Sequence, residues 1–194
     1  FGGNAEDVAG NLDLFAAAFP DRSLFLVNYR GYGGSSGQPA EAGLVADALA
    51  VFDHVRREHS EIAVMGRSLG SGVAVQVASA RPVERLVLVT AFDSLVNVAK
   101  EYFRWLPLGL LLKDRYDSAR HASAVNTSVL MVIAGEDEII PRARAQALAK
   151  AFPAGQLRVE IVSRFGQKKL DLSPAYLAAV RGFLAATVAD GEEP

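Results

Sequence analysis

Val64-Met65-Gly66-Arg67-Ser68-Leu69-Gly70-Ser71-Gly72 is the stretch on which the reading of the fold turns. The apolar run Glu61 to Met65 ends in Gly-x-Ser-x-Gly, and a pattern of small helix-compatible residues, Gly70 to Ala80, follows at once. In a strand-turn-helix of this kind, Gly66 and Gly70 let the backbone pass closely, so that the Ser68 hydroxyl projects into a cleft above the sheet. The helix N-terminus then aims backbone N–H groups at a developing oxyanion. The plainer alternative is that Ser68 only caps the helix and the glycines only serve a tight turn.

Outward from this turn, short strand-like runs alternate with longer helical ones. Ser23 to Asn28, Arg85 to Thr90, Val129 to Ala134 and Leu157 to Val162 join Glu61 to Met65 as candidate strands. Read as runs that do not alternate apolar and polar as a one-sided sheet would, they predict strands covered on both faces in a parallel sheet. The stretch Ala42 to Arg57 sets Leu44, Val45, Ala48, Leu49, Phe52 and Val55 at helical spacing. Val8 to Phe19, Arg142 to Phe152 and Ser173 to Thr187 complete the helices, the last opened by a Ser173 cap and Pro174. Strand-helix alternation without repeat or linker predicts one α/β domain over residues 1–194.

Composition narrows the function. Half of the 194 residues (51%) are hydrophobic, and 20 basic against 22 acidic residues leave a net charge of −2, so no basic surface points to nucleic acid. Without cysteine there is no disulfide, no thiolate zinc site and no Cys nucleophile. Three scattered histidines make a metal site improbable, and Gly31-Tyr32-Gly33-Gly34-Ser35 lacks the phosphate-loop Lys and the dinucleotide spacing. No metal or cofactor is expected. The most apolar run, Trp105 to Leu112, is eight residues with a proline inside, where a membrane span needs about 20. The first residues lack a signal-peptide pattern. A cytoplasmic location is the expectation, with an upstream signal or anchor left open.

Two further segments belong to the same picture. Gly2-Gly3-Asn4-Ala5-Glu6-Asp7 is a Gly-rich turn leading into a helix, and it can offer a second oxyanion N–H. Ala134-Gly135-Glu136-Asp137-Glu138-Ile139-Ile140-Pro141 follows a buried strand, where a carboxylate can orient an imidazole.

Taken with Asn28-Tyr29-Arg30-Gly31-Tyr32-Gly33-Gly34-Ser35, these pieces resemble the α/β-hydrolase superfamily nearly end to end, in its small esterase and serine-aminopeptidase-like branch. The resemblance implies an α/β-hydrolase fold, a mostly parallel sheet with helices on both faces and a small lid. Ser68 is then similar to the family nucleophile and Asp137 to its acid, with Glu136 and Glu138 as weaker candidates. Leu69 N–H and the Gly3-Asn4 turn resemble the oxyanion hole. The insertion at about 93–124 is the expected lid, with Tyr102, Trp105, Leu106 and Leu110 as apolar pocket wall or, alternatively, as packing of an extra helix.

The pattern breaks at the base. Leu172-Ser173-Pro174 entering the last helix sets the register, and Gln167 falls where the family has its histidine. An amide cannot take up the serine proton. His54, His59 and His121 all approach the entrance ends of strands, roughly 20 Å from an exit-end serine across a six-residue strand. Lys168 and Lys169 are read as solvated, with a desolvated Lys as a remote substitute base. The resemblance also implies a larger sheet than five candidate strands supply, with Phe1 where an early central strand would end. Residues upstream of Phe1 are therefore expected in the folded protein.

The expectation is a cofactor-free serine hydrolase of a small ester or amide carrying an apolar group, impaired by Gln167. No nucleic-acid partner is expected, and membrane contact has nothing in its favour. The rival from another class is a non-catalytic binding or scaffold protein that keeps the pocket.

Overall fold

Arg85-Leu86-Val87-Leu88-Val89 shows why the apolar runs become strands: all five residues are buried, and successive side chains enter different layers. Leu86 and Leu88 pack with Phe52, Val73, Val77 and Met131, whereas Val87 and Val89 pack with Phe19, Leu130, Tyr176 and Val180. Burying each such side chain contributes about 1.5–3 kcal/mol, so a run apolar on both faces holds only inside a layered sandwich.

A computed structural model describes residues 1–163, 166, 170 and 173–186. Its sheet has four strands among these residues: β1 (Ala63–Arg67), β2 (Arg85–Val89), β3 (Ser128–Ala134) and β4 (Leu157–Val162). They lie side by side in that order, all parallel, with Arg67 opposite Val89, Val89 opposite Val132 and Ala134 opposite Val162. Every strand therefore exits at the same edge. A short 3-10 turn (Val8–Asn11) leads into α1 (Leu12–Ala18). Then come α2 (Glu41–Val55), α3 (Leu69–Ala80), α4 (Leu95–Tyr102), α5 (Leu108–Leu111), α6 (Ser118–Ala122), α7 (Arg142–Ala149) and α8 (Pro174–Ala185).

Helices α2, α3, α6 and α7 cover one face, while α8 and the end of α1 cover the other. This is the mixed α/β architecture read from the sequence. Ser173 caps α8 by accepting the Tyr176 N–H, with Pro174 in the first turn. Helices α4, α5 and α6 are short and connect β2 to β3. No helix among the described residues is long and apolar enough to cross a membrane.

One expected strand fails. Ser23 to Asn28 joins no ladder, although its sequence is as apolar as that of β2. The reason is its neighbourhood: β-structure needs a partner 4.7–4.9 Å away, and a cavity of about 770 Å³ lies between this segment and β1.

Glycines set the distance between β1 and α3. A Cβ on Gly66 would overlap the Gly70 carbonyl oxygen and sit 2.6 Å from the Ala74 Cβ. A Cβ on Gly70 would overlap the carbonyl oxygens of Phe1 and Gly2. Gly182, within α8, meets nothing within 4 Å at the same test. Gly66→Ala is therefore expected to destabilise the chain by at least about 1–3 kcal/mol through overpacking. Gly182→Ala is expected to stabilise it by about 0.5–1 kcal/mol through helix propensity. Urea unfolding of the two variants beside the parent chain measures both, and a Gly66→Ala protein as stable as the parent contradicts the close approach.

Candidate active site

At the exit of β1 the backbone turns sharply into α3, and Ser68 takes up the turn with φ 50° and ψ −117°. A left-handed φ at a residue with a Cβ stores about 1–3 kcal/mol of strain and persists only where neighbours hold it. They do so here. Ser68 N–H donates to the Val89 carbonyl (2.9 Å), while its own carbonyl accepts from Ser71 N–H (2.9 Å) and Ser71 Oγ (2.6 Å). The residue is 8% exposed, at the rim of the sheet. Leu69 opens α3, and first-turn N–H groups lack acceptors within their own helix.

The Gly-rich N-terminal turn lies directly against this elbow. A Cβ built on Gly3 would be 3.7 Å from the Ser68 Cβ and 3.9 Å from the Arg67 carbonyl oxygen. Within the turn, Gly3 N–H donates to Glu6 Oε2 (2.5 Å), and Glu6 Oε1 accepts from Asn11 Nδ2 (2.7 Å). Of the two backbone amides expected from this turn, that of Gly3 is thus already held by a carboxylate.

The Asn28 to Tyr32 segment braces the same turn from behind. Asn28 bridges Asp7 (3.0 Å) and the Val8 N–H (3.1 Å). Tyr29 is buried, stacks on Phe1 at 6.4 Å and donates its hydroxyl to the Gly2 carbonyl (3.2 Å). Burial pushes that phenol well above its usual range, so it stays a neutral donor. Tyr32 donates to Asn4 Oδ1 (2.6 Å). None of these roles shows in the sequence, because each joins residues about 25 positions apart through a fold-dependent contact. The Glu6 role carries a fainter signal, a carboxylate three residues after a Gly turn and ahead of a helix.

Asp137 follows β3 and so shares the exit edge with Ser68. Its Oδ1 accepts the N–H groups of Ile139 (2.9 Å) and Ile140 (2.8 Å), which fixes the carboxylate in a local turn. The loop is tied to its neighbours: Gly135 N–H donates to the Val162 carbonyl (2.9 Å), and a Cβ on Gly166 would lie 3.0 Å from the Glu136 carbonyl oxygen. Gly166, next in sequence to the expected base position, thus sits against the loop carrying the expected acid. Gln167 itself, with Lys168 and Lys169, lies outside the described residues.

The segment expected as a lid divides. Tyr102, at the end of α4, donates its hydroxyl to the carbonyls of Ile139 (2.9 Å) and Glu138 (3.2 Å) and so touches the Asp137 loop. Trp105 and Leu110 are 80% and 88% exposed and enclose no pocket as they stand. Leu106 borders a cavity of about 330 Å³ whose other lining residues are polar: Asn97, Lys100, Glu101, Arg104 and Arg144. His54 ends α2 and His59 packs edge-on against Phe25 ahead of β1, at the entrance side. His121 lies on α6, seven residues before β3. No cluster suited to a metal ion occurs among the described residues.

Two features at this edge carry no sequence signal. Thr90, just after β2, is buried with φ 48°, and its Oγ1 has no hydrogen-bond partner among the described residues. Asp93 is buried and accepts from Asn97 (2.7 Å) and Arg144 (3.3 Å).

No protein-family model matches the chain. The uncharacterised protein Rv2307c of Mycobacterium tuberculosis is 36% identical over 197 aligned residues, covering 98% of this chain and 70% of the relative. Among solved structures, the α/β-hydrolase enzyme MGS-M2 from a Medee basin deep-sea metagenome library superposes with a TM-score of 0.79. The identity is 15%, over 97% of this chain and 89% of that one. The monoacylglycerol lipase of Paleococcus ferrophilus superposes with a TM-score of 0.70 at 15% identity, over 94% and 91% of the two chains. At such identities these two structures speak to the fold alone.

Removing the Glu6 carboxylate leaves the buried Gly3 N–H without its charged acceptor, so Glu6→Ala is expected to destabilise the chain by about 1.5–3 kcal/mol. Urea unfolding measures this, and a loss below about 0.5 kcal/mol means that the turn is held by Tyr29 and Tyr32 without Glu6.

Proposed function

The chain belongs to one family with Rv2307c and has the α/β-hydrolase fold, and on that premise we propose that it is a serine hydrolase of small carboxylic esters or amides. The observation that carries the reading is the strained Ser68 elbow, packed against the Gly3 turn at the N-terminus of a 12-residue helix. A hydroxyl there meets an incoming carbonyl carbon from the exit side of the sheet. The N–H of Leu69, helped by that of Asn4, then receives the oxygen as it gains charge. Asn4 takes this place in preference to Gly3, whose amide is held by Glu6.

Ser68 Oγ attacks the carbonyl and its proton passes to a base; collapse of the tetrahedral intermediate expels the alcohol or amine and leaves an acyl-serine for water to cleave. Asp137 is the group that orients and stabilises that base once protonated. Gln167 occupies the base position in the sequence, and its amide accepts a hydrogen bond without taking up a proton. The chain is accordingly proposed to be an impaired hydrolase. Tyr102, Trp105, Leu106 and Leu110 are proposed as the apolar side of the acyl site, reached when the lid segment folds over the elbow. The substitution at 167 also favours a second reading, a non-catalytic binding protein on the same scaffold.

Hydrolysis of p-nitrophenyl butyrate decides between them. The parent chain is expected to show weak turnover that Ser68→Ala abolishes. Gln167→His is expected to raise kcat/KM by about 10²–10⁴, the worth of a general base, with a rate that climbs as pH rises through about 6.5 and the new imidazole loses its proton. Absence of turnover in both the parent and Gln167→His defeats the esterase reading for short acyl esters.

A further inference from the structure

β4 (Leu157–Val162) stands last in the order β1-β2-β3-β4, and among the described residues no strand pairs with its outer side. Its parallel pairing with β3 decides which backbone groups are already spent. Val129 N–H donates to the Gln156 carbonyl and Gly135 N–H to the Val162 carbonyl, so the even-numbered residues of β4 turn their N–H and carbonyl groups towards β3. Leu157, Val159 and Ile161 turn theirs outward. Proteins commonly blunt such an edge with proline, lysine or a bulge, because unpaired groups accept a further strand. Leu157 to Val162 contains no proline, glycine or lysine, and its register with β3 runs unbroken from end to end.

The side chains carry a second pattern. Val159 and Ile161 are 42% and 43% exposed on one face of the strand. On the other face stand Arg158 and Glu160, with Arg158 Nη2 2.6 Å from Glu160 Oε1 and both still in contact with solvent. Read outward from Val159, the strand is complementary to itself: apolar Leu157 mirrors apolar Ile161, and basic Arg158 mirrors acidic Glu160.

We infer that the outer edge of β4 is the docking surface for a second copy of this chain, the two β4 strands pairing antiparallel about a two-fold axis at Val159. A two-fold interface sets the same patch against itself, which requires the antiparallel orientation. Val159 then exchanges both N–H···O bonds with Val159 of the second copy, and Leu157 does so with Ile161, all through groups that face outward. Arg158 falls opposite Glu160 of the second copy, at the positions where side chains of an antiparallel pair come closest. Each of the four charges thereby has two opposite neighbours, one in its own strand and one across. The charges also exclude the adjacent registers: a shift of two residues one way sets Arg158 against Arg158, and the other way Glu160 against Glu160. On the opposite face Leu157, Val159 and Ile161 of both copies meet as one apolar strip. This surface lies across the sheet from β1 and stands whether or not Ser68 is catalytic.

Sedimentation equilibrium is expected to show the mass of the 194-residue chain doubling as its concentration rises. Arg158→Glu, which gathers four carboxylates, and Glu160→Arg, which gathers four guanidinium groups, are each expected to weaken dimerisation at least tenfold. Mixed in equal amounts, these two variants are complementary to one another, and their heterodimer is expected to be at least tenfold tighter than either homodimer. The double variant Arg158→Glu/Glu160→Arg reverses the pattern and is expected to dimerise like the parent. Amide exchange at Leu157, Val159 and Ile161 is expected to slow at least tenfold with rising concentration, while that at Arg158 and Glu160, already bonded to β3, stays unchanged. A parent chain that remains monomeric at millimolar concentration, single variants that dimerise as well as the parent, a mixture no tighter than its components, or a dimer without protection at Val159 overturns the proposal.

Discussion

The absence of a side chain at Gly66 and Gly70 is the constraint from which the rest of the site follows. These two positions bring β1, α3 and the Phe1-Gly2 backbone into contact at distances that no Cβ permits. The reversal at Ser68 is possible because the helix starts directly on top of the strand. The N-terminal turn reaches the serine because Gly70 lets the Phe1 and Gly2 carbonyls lie against the helix. Hydrophobic burial in the two layers stabilises the sandwich as a whole, but it is non-directional. What holds the turn that carries the hydroxyl is steric exclusion at two glycines, backed by the backbone bonds of Ser68 to Val89 and Ser71.

Around that contact the polar groups are arranged as supports more than as reactive groups. Tyr29 holds Gly2, Tyr32 holds Asn4, Glu6 holds Gly3, and Asn28 holds the start of the next turn. On the far side, Asp137 spends one carboxylate oxygen on two backbone N–H groups, which sets its orientation. Preorganised dipoles act on a developing charge without reorganising, and their effect depends on such supports. A turn held by a single bond would move with the substrate.

What was legible in the sequence follows the range of the interactions. The strands β1 to β3 and the helices α2, α3, α7 and α8 are visible because burial writes itself as an apolar run or as helical spacing, and Ser173-Pro174 writes the start of α8. β4 is an edge strand with Arg158, Val159 and Ile161 exposed, so the cover expected on both its faces is absent. The elbow at Ser68 is visible because its glycines are adjacent in the chain. Ser23 to Asn28 carries the same local signal as β2 and yet stays out of the sheet, since a strand is defined by its partner and not by its own residues. The tyrosine supports and the Asp93–Arg144 pair stayed hidden for the converse reason: they join distant positions and impose no pattern on either. At 93–124 the sequence leaves pocket wall and helix packing open for Leu106 and Leu110, and in the structure Leu108 is buried while Leu110 is open to solvent two residues on. A helix of four residues has too few turns for periodicity to separate its faces.

A serine forced into a left-handed conformation lowers stability by about 1–3 kcal/mol, a sizeable part of the 5–15 kcal/mol that holds a domain folded. A scaffold that only binds gains nothing from that strain, since an ordinary cap at the start of α3 needs no positive φ. Here the strain comes with its full set of restraints: two glycines, the Ser71 hydroxyl on the Ser68 carbonyl, and the braced turn opposite. On the reading proposed above, presenting a nucleophile is separable from moving a proton: the elbow is held by contacts of β1, α3 and the N-terminal turn, and Gln167 in the proposed base position is none of the residues that make them.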